Sequence, residues 1–322
     1  MGTASAIISC TLVASSFYFY HVGIERNAKT FWLQNQNLKT AYQKTKSLQT
    51  LSMKAGDDPG LVEKSSREWV ESQPYETWRV TSADNFNLVA YYIPAKKGTT
   101  KTVIIAHGYL GQGKDMGNYA RFYSEKLGYN VLLPDARGHG ASKGDYIGFG
   151  WPDRKDYLLW IQKVLDRVGN RAQIALHGVS MGGATVIMVS GESLPQQVKA
   201  IVEDSGYTSV YEELSYQMKR IFHLPSFPFI SATSLLTQIK AGYNFSEASA
   251  LNQVAKNKTP MLFVHGTLDT VVPAEMVRHL YETCQTEKEI HLVEGAGHAQ
   301  AFSVNETAYE TTVANFVGKY IF

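Results

Sequence analysis

The chain of 322 residues is 44% hydrophobic and 19% charged, enough apolar material for the core of one large α/β domain or two small ones, and this excludes disorder on a large scale. A formal net charge of +2, with no basic run interleaved with aromatics, leaves no footprint for a nucleic-acid partner. Two cysteines, Cys10 and Cys284, lie far apart and form no metal-binding or redox spacing.

Residues 1–24 read as a hydrophobic anchor or signal segment. From Ala4 to Ile24 there is no Asp, Glu, Lys or Arg, and the length approaches the ~20 residues that a helix needs to cross a hydrocarbon core. The bulky run Phe17 to Tyr20 suits an uncleaved anchor better than a small-residue cleavage site. Between His21 and Lys54 six basic side chains (Arg26, Lys29, Lys39, Lys44, Lys46, Lys54) face one acid, Glu25, so the positive-inside rule places the chain beyond the apolar run in the cytoplasm. Residues 25–74 read as a helical stalk or extension. Phe31, Leu38 and Tyr42 recur at helical spacing, and Ala55 to Gly60 breaks the pattern.

Residues 75–322 read as the main domain. A β-hairpin is predicted over Glu76 to Pro94, and buried strands are predicted at Val103–Ala106, Val131–Leu133, Gln173–Leu176, Ala200–Val202, Met261–Val264 and Ile290–Val293. Helical stretches separate them at Met116–Leu127, Pro152–Val168, Met181–Gly191, Ala274–Cys284 and Ala299–Val317. This alternation implies βαβ units and a parallel sheet. The rhythm lapses at residues 207–255, where helical spacing around Leu214, Met218 and Ile221 and again at Ser234–Ala241 predicts a helical lid inserted between strands. Its aromatics and methionine, Tyr211, Tyr216, Met218, Phe222, Phe227 and Phe229, are candidates for a pocket wall, although the same residues suit packing of the lid onto the body.

The strand at Gln173 runs into His177-Gly178-Val179-Ser180-Met181-Gly182. This G-x-S-x-G pattern is that of a nucleophile elbow, in which small neighbours allow a sharp strand-to-helix turn that exposes the serine hydroxyl. Ordinary Gly/Ser turns share the pattern, so the acid and the base decide. Asp269 follows one predicted strand in His265-Gly266-Thr267-Leu268-Asp269, and His298 follows the next in Gly295-Ala296-Gly297-His298. Their order, Ser180, Asp269, His298, is the hydrolase order, and each lies at a strand end, where open parallel sheets keep their sites. Asp204, in Glu203-Asp204-Ser205-Gly206, is a rival acid, with a cap or loop hydrogen bond as its plainer role. His107, Arg137 and His139 read as loop scaffolding. No His/Cys/Asp/Glu cluster has metal spacing, and no G-x-G-x-x-G follows the first buried strand, so neither a metal nor a cofactor is implied.

With His107-Gly108 after the third strand and Asp135-x-Arg137-Gly138-His139-Gly140 after the fourth, these motifs resemble the α/β-hydrolase superfamily across roughly residues 75–322. Taken with the apolar N-terminal run, the chain looks most like the membrane-bound cell-surface hydrolases of Gram-positive bacteria, in the serine-aminopeptidase-like and Bem46-like branch. The resemblance implies the α/β-hydrolase fold: a mostly parallel eight-stranded sheet, helices on both faces and a helical lid. It also implies an anchored enzyme whose catalytic domain is extracellular. In the mechanism that goes with it, Ser180 attacks a carbonyl, His298 takes and returns the proton, Asp269 holds the imidazole, and the backbone N–H groups of Tyr109 and Met181 form the oxyanion hole. The expected substrate is a small-molecule ester, with amides (aminopeptidase or amidase) and thioesters as alternatives. A non-catalytic anchored binding protein is the other class. No sequence feature addresses the oligomeric state.

Overall fold

The computed structural model describes residues 2–28, 30 and 59–322. The predicted helix from residue 31 to Met53 lies outside them. Eight strands form one sheet: β1 (Glu76–Thr81), β2 (Asn87–Ile93), β3 (Lys101–Ala106), β4 (Asn130–Pro134), β5 (Gln173–Val179), β6 (Val198–Asp204), β7 (Met261–Gly266) and β8 (Lys288–Val293). Their spatial order is β1-β2-β4-β3-β5-β6-β7-β8. The β1–β2 and β2–β4 pairs are antiparallel and the other five are parallel. All eight predicted strands are present, and the fold is the α/β-hydrolase fold.

The central strands are apolar on both faces, as strands covered by helices on each side must be. Ile104, Leu176, Ile201 and Phe263 point to one face, where they pack with Trp160, Ile161 and Val164 of the helix Asp153–Val168. Val103, Ile105, Ala175, Val202 and Val264 point to the other, against Tyr309, Val313 and Phe316 of the helix Glu306–Val317. After β3 the chain passes to β4 on one side and then crosses back to β5 on the other. Loops diverge at such a reversal and leave a crevice beyond the carboxyl ends of the strands.

Two predicted helices are subdivided. Met116–Leu127 is a 3₁₀ turn (Gly113–Met116), a short helix (Gly117–Arg121) and a π-helical turn (Phe122–Lys126). The closing helix breaks at Asn305, whose side chain accepts the Ala308 N–H at 3.1 Å and starts Glu306–Val317 anew. Helix Pro59–Glu71, within the segment read as a helical stalk or extension, packs Val70 into the core beside Met116 and Ala120. The insertion carries helices Val210–Phe222, Phe229–Ala241 and Ala250–Val254.

The N-terminal segment departs most from expectation. Gly2–Gly23 is a helix, yet among the described residues no helix is long and apolar enough to cross a membrane. Serines at positions 5, 9, 15 and 16 dilute its apolar run, so the anchor and its membrane partner find no support in the fold. The end of the helix is instead inside the protein. Tyr20, Val22 and Ile24 are buried, and Ile24 together with residues 25–28, expected as the start of a stalk, forms a strap across the body. Along it Ile147 N–H donates to Ile24 O at 2.7 Å and Arg26 N–H donates to Asp145 O at 3.0 Å. Cys10 is exposed and Cys284 buried, and both are free thiols.

Candidate active site

At the end of β5 the backbone reaches Ser180 with φ 58° and ψ −120° and turns at once into the helix Met181–Ser190. A positive φ costs a non-glycine residue ~1–3 kcal/mol and persists only where the surroundings enforce it. Here they do. Ser180 N–H donates to Asp204 O at 2.8 Å, tying the elbow to the end of β6. A Cβ on Gly178 would stand 2.0 Å from Gly182 O, and one on Gly182 would stand 2.1 Å from Ala106 O. Both glycines are therefore required by close backbone approach. Leu110, Ser205 and Ala299, beyond β3, β6 and β8, also have positive φ, so backbone strain is concentrated at this end of the sheet.

The structure brings together the three residues that the motifs single out. Ser180 Oγ is 2.7 Å from His298 Nε2, and His298 Nδ1 is 2.7 Å from Asp269 Oδ2. With a carboxylate opposite Nδ1, that nitrogen carries the proton and Nε2 is left to accept from the serine. Asp269 Oδ1 accepts the N–H groups of Val271 and Val272, each at 2.8 Å, which fixes the carboxylate plane. Asp269 and His298 are buried, whereas Ser180 is partly exposed. Burial alone would raise the Asp269 pKa. The neighbouring His298, with hydrogen bonds from His265 and His298, outweighs it and holds this carboxyl well below the usual carboxylate range.

His265, read from the sequence only as part of a motif, touches the acid itself. Its Nε2 lies 2.9 Å from Val272 O and 3.3 Å from Asp269 Oδ2, the oxygen that faces His298. Burial would lower its pKa, but contact with Asp269 raises it. Its spacing of four residues from Asp269 was the available signal. Asp204, the rival acid, is occupied elsewhere: it accepts from Ser205 Oγ at 2.9 Å and from Tyr309 Oη at 3.0 Å. Burial pushes it up to about 6. Behind it Tyr309 Oη accepts from His177 Nε2, and His177 Nδ1 accepts from Tyr123 Oη, both at 3.1 Å. Burial pushes His177 down to about 3. This directed chain satisfies four buried polar groups under the elbow.

The loop after β3 is braced by two imidazoles. His107 Nδ1–H donates to Gly108 O at 2.8 Å while its Nε2 accepts Ala136 N–H at 3.0 Å. His139 Nδ1–H donates to Arg137 O at 3.0 Å while its Nε2 accepts Leu110 N–H at 3.3 Å. Arg137 forms a two-pronged ion pair with Asp156, both contacts at 2.8 Å, and reaches Asp84 at 2.7 Å. These side chains hold the loops around residues 107–111 and 135–140 together. Tyr109 and Met181 line one cavity with Ser180 and His298. Met181 opens its helix, where a backbone N–H has no carbonyl one turn back.

That cavity has a volume of about 390 Å³. Of the six candidate wall residues in the insertion, Met218 and Phe222 line it. Tyr216 instead donates to Thr270 O at 3.1 Å, Phe229 packs its ring on Phe19, and Phe227 is exposed. The helix Val210–Phe222 is bonded to the loop of the acid, since Gln217 Nε2 donates to Val271 O at 2.8 Å. Gln217 also donates to Glu213 Oε1 at 2.7 Å. Glu213 lines the cavity, its Oε2 is buried with no hydrogen-bond partner among the described residues, and burial pushes it up to about 7. Nothing in the sequence marked Glu213, one charge among several on an amphipathic helix.

Residues 118–321 match the prolyl oligopeptidase family. The chain is 27% identical over 238 residues to the Bacillus subtilis (strain 168) protein YqkD, covering 74% of this chain and 77% of YqkD. Among solved structures it is similar to the Pyrococcus furiosus esterase Pf2001, with 26% identity, a TM-score of 0.64 and coverage of 78% of this chain and 94% of the esterase. It shares its fold with Pyrococcus horikoshii acylaminoacyl peptidase at 17% identity and a TM-score of 0.58, over 78% of this chain and 43% of that one.

Proposed function

The chain belongs to the prolyl oligopeptidase family and is a serine hydrolase of the α/β-hydrolase superfamily, and on that premise we propose that it cleaves carboxylic esters of small molecules. The reading rests on the hydrogen-bonded series Ser180, His298, Asp269 opening onto a largely apolar cavity. Likeness to the Pyrococcus furiosus esterase supports the choice of ester.

In the proposed reaction Ser180 Oγ forms a bond to the substrate carbonyl carbon as its proton passes to His298 Nε2. The carbonyl oxygen becomes an oxyanion that accepts from the N–H groups of Tyr109 and Met181, and one such donor is worth ~3 kcal/mol to the transition state. Collapse breaks the bond to the alcohol oxygen, which leaves with the proton held by His298. Water then repeats the sequence on the acyl-enzyme and releases the acid. Asp269 keeps Nδ1 protonated and balances the imidazolium.

A second reading, hydrolysis of amides that carry a free amino group, draws on Glu213, whose unpaired oxygen near the cavity suits a substrate ammonium. A panel of p-nitrophenyl esters and aminoacyl p-nitroanilides separates the two. Ester kcat/KM exceeding that of every anilide is expected. Faster turnover of an aminoacyl anilide would replace the first reading with the second.

A further inference from the structure

The catalytic cavity is closed on one side by the segment that composition alone marks as a leader. Phe19, Val22, Gly23 and Ile24 line it together with Ser180 and His298. The segment is fastened from three directions. Toward the insertion, the Phe19 ring meets Phe222 edge-on at 5.1 Å and Phe229 at 6.0 Å. Toward the body, Ile147 N–H donates to Ile24 O at 2.7 Å, and the Arg26 guanidinium donates to Gly140 O at 2.9 Å. Toward the nucleophile, Tyr109 Oη donates to Gly23 O at 2.8 Å, and Tyr109 is the residue whose backbone N–H is assigned to the oxyanion.

We propose that residues 19–24 form a wall of the acyl subsite and set the size of the apolar acyl group that the enzyme accepts. The proposal rests on the hydrolase reading and names its substrate class, esters of aliphatic or aromatic carboxylic acids. The chemistry of the wall is that of dispersion and water exclusion: the side chains of Phe19, Val22 and Ile24 carry no hydrogen-bonding atoms, and Met218, Phe222 and Phe149 line the same cavity. Val22 and Ile24 are buried, so their volume is felt directly by whatever fills the space between them and the elbow. Through the Tyr109–Gly23 hydrogen bond, the same segment also positions the loop that carries an oxyanion donor.

The test compares kcat/KM along a p-nitrophenyl series from acetyl to decanoyl. One methylene more or less in an apolar pocket changes kcat/KM by about 10- to 200-fold. Val22→Phe, which fills the wall, is expected to lower the octanoyl-to-acetyl ratio at least tenfold, and Phe19→Ala, which opens it, to raise that ratio. Val22→Ile adds one methyl group and moves the ratio in the same direction as Val22→Phe should the larger variant not fold. Tyr109→Phe keeps the backbone donor and is expected to lower kcat with KM little changed. Each protein is labelled in parallel with a fluorophosphonate. Labelling at Ser180 with an unchanged ratio in all three wall variants would overturn the wall while leaving the hydrolase reading intact. A shift confined to a series of acetate esters with varied alcohols would overturn the acyl assignment. Absence of labelling in the wild type removes the hydrolase reading and this proposal with it.

Discussion

Replacing Asp269 by Asn isolates the charge and hydrogen-bonding sense of the acid at constant shape. Oδ1 is held by the N–H groups of Val271 and Val272 at 2.8 Å each, so an asparagine keeps its oxygen there and turns its NH₂ toward His298. In the wild type the opposite atom accepts the Nδ1 proton at 2.7 Å. Two donors cannot share that contact. The imidazole must adopt the Nε2–H tautomer, and the nitrogen 2.7 Å from Ser180 Oγ then donates where it should accept. Loss of the correct tautomer in a Ser-His-Asp set lowers kcat by about 10⁴, or about 5 kcal/mol of transition-state stabilisation. The assay is kcat for a short p-nitrophenyl ester at neutral pH, with circular dichroism to establish that the variant is folded. A folded Asp269→Asn protein that loses less than tenfold in kcat would refute the assignment of Asp269 as the acid.

Glu213 gives a pH-dependent prediction. Burial pushes its pKa from 4.5 up to about 7; the folded state therefore holds a proton that the unfolded chain has released. Stability from this group is present in full below pH 4.5 and is lost as pH rises through about 7, at most about 3 kcal/mol. Glu213→Gln is expected to be more stable than wild type at pH 8, with the gap closing toward pH 4.5 in thermal melts; a gap independent of pH would contradict it. Gly182→Ala drives a Cβ to 2.1 Å from the Ala106 carbonyl oxygen, a backbone atom that cannot swing aside, and is expected to cost about 3 kcal/mol or more in urea unfolding. A loss below 1 kcal/mol would mean that the elbow and β3 are not so closely packed.

The strands and the candidate catalytic residues were legible because each leaves a local mark. A strand buried on both faces is a short apolar run, and Ser180, Asp269 and His298 each follow a predicted strand, with Gly178 and Gly182 at the close approaches of the elbow. What was not legible depends on partners distant in sequence. Tyr309, His177 and Tyr123 form one chain beneath the elbow, yet none carries a sign of the others. The break at Asn305 is a capping choice inside an otherwise continuous helical pattern. The N-terminal run is ambiguous for a physical reason: apolar composition reports that a segment avoids water but does not say whether lipid or protein replaces it. Its last residues, Phe19, Val22, Gly23 and Ile24, line the catalytic cavity, with Val22 and Ile24 buried. His107, Arg137 and His139, read as scaffolding, do brace the loops around the site.

The central claim is that Ser180 is the nucleophile. A fluorophosphonate probe followed by mass spectrometry of the tryptic digest tests it directly. One adduct, on the peptide containing Ser180 in the wild type and absent from Ser180→Ala, is the predicted result. Undiminished labelling of a folded Ser180→Ala protein, or an adduct on another residue, would contradict it.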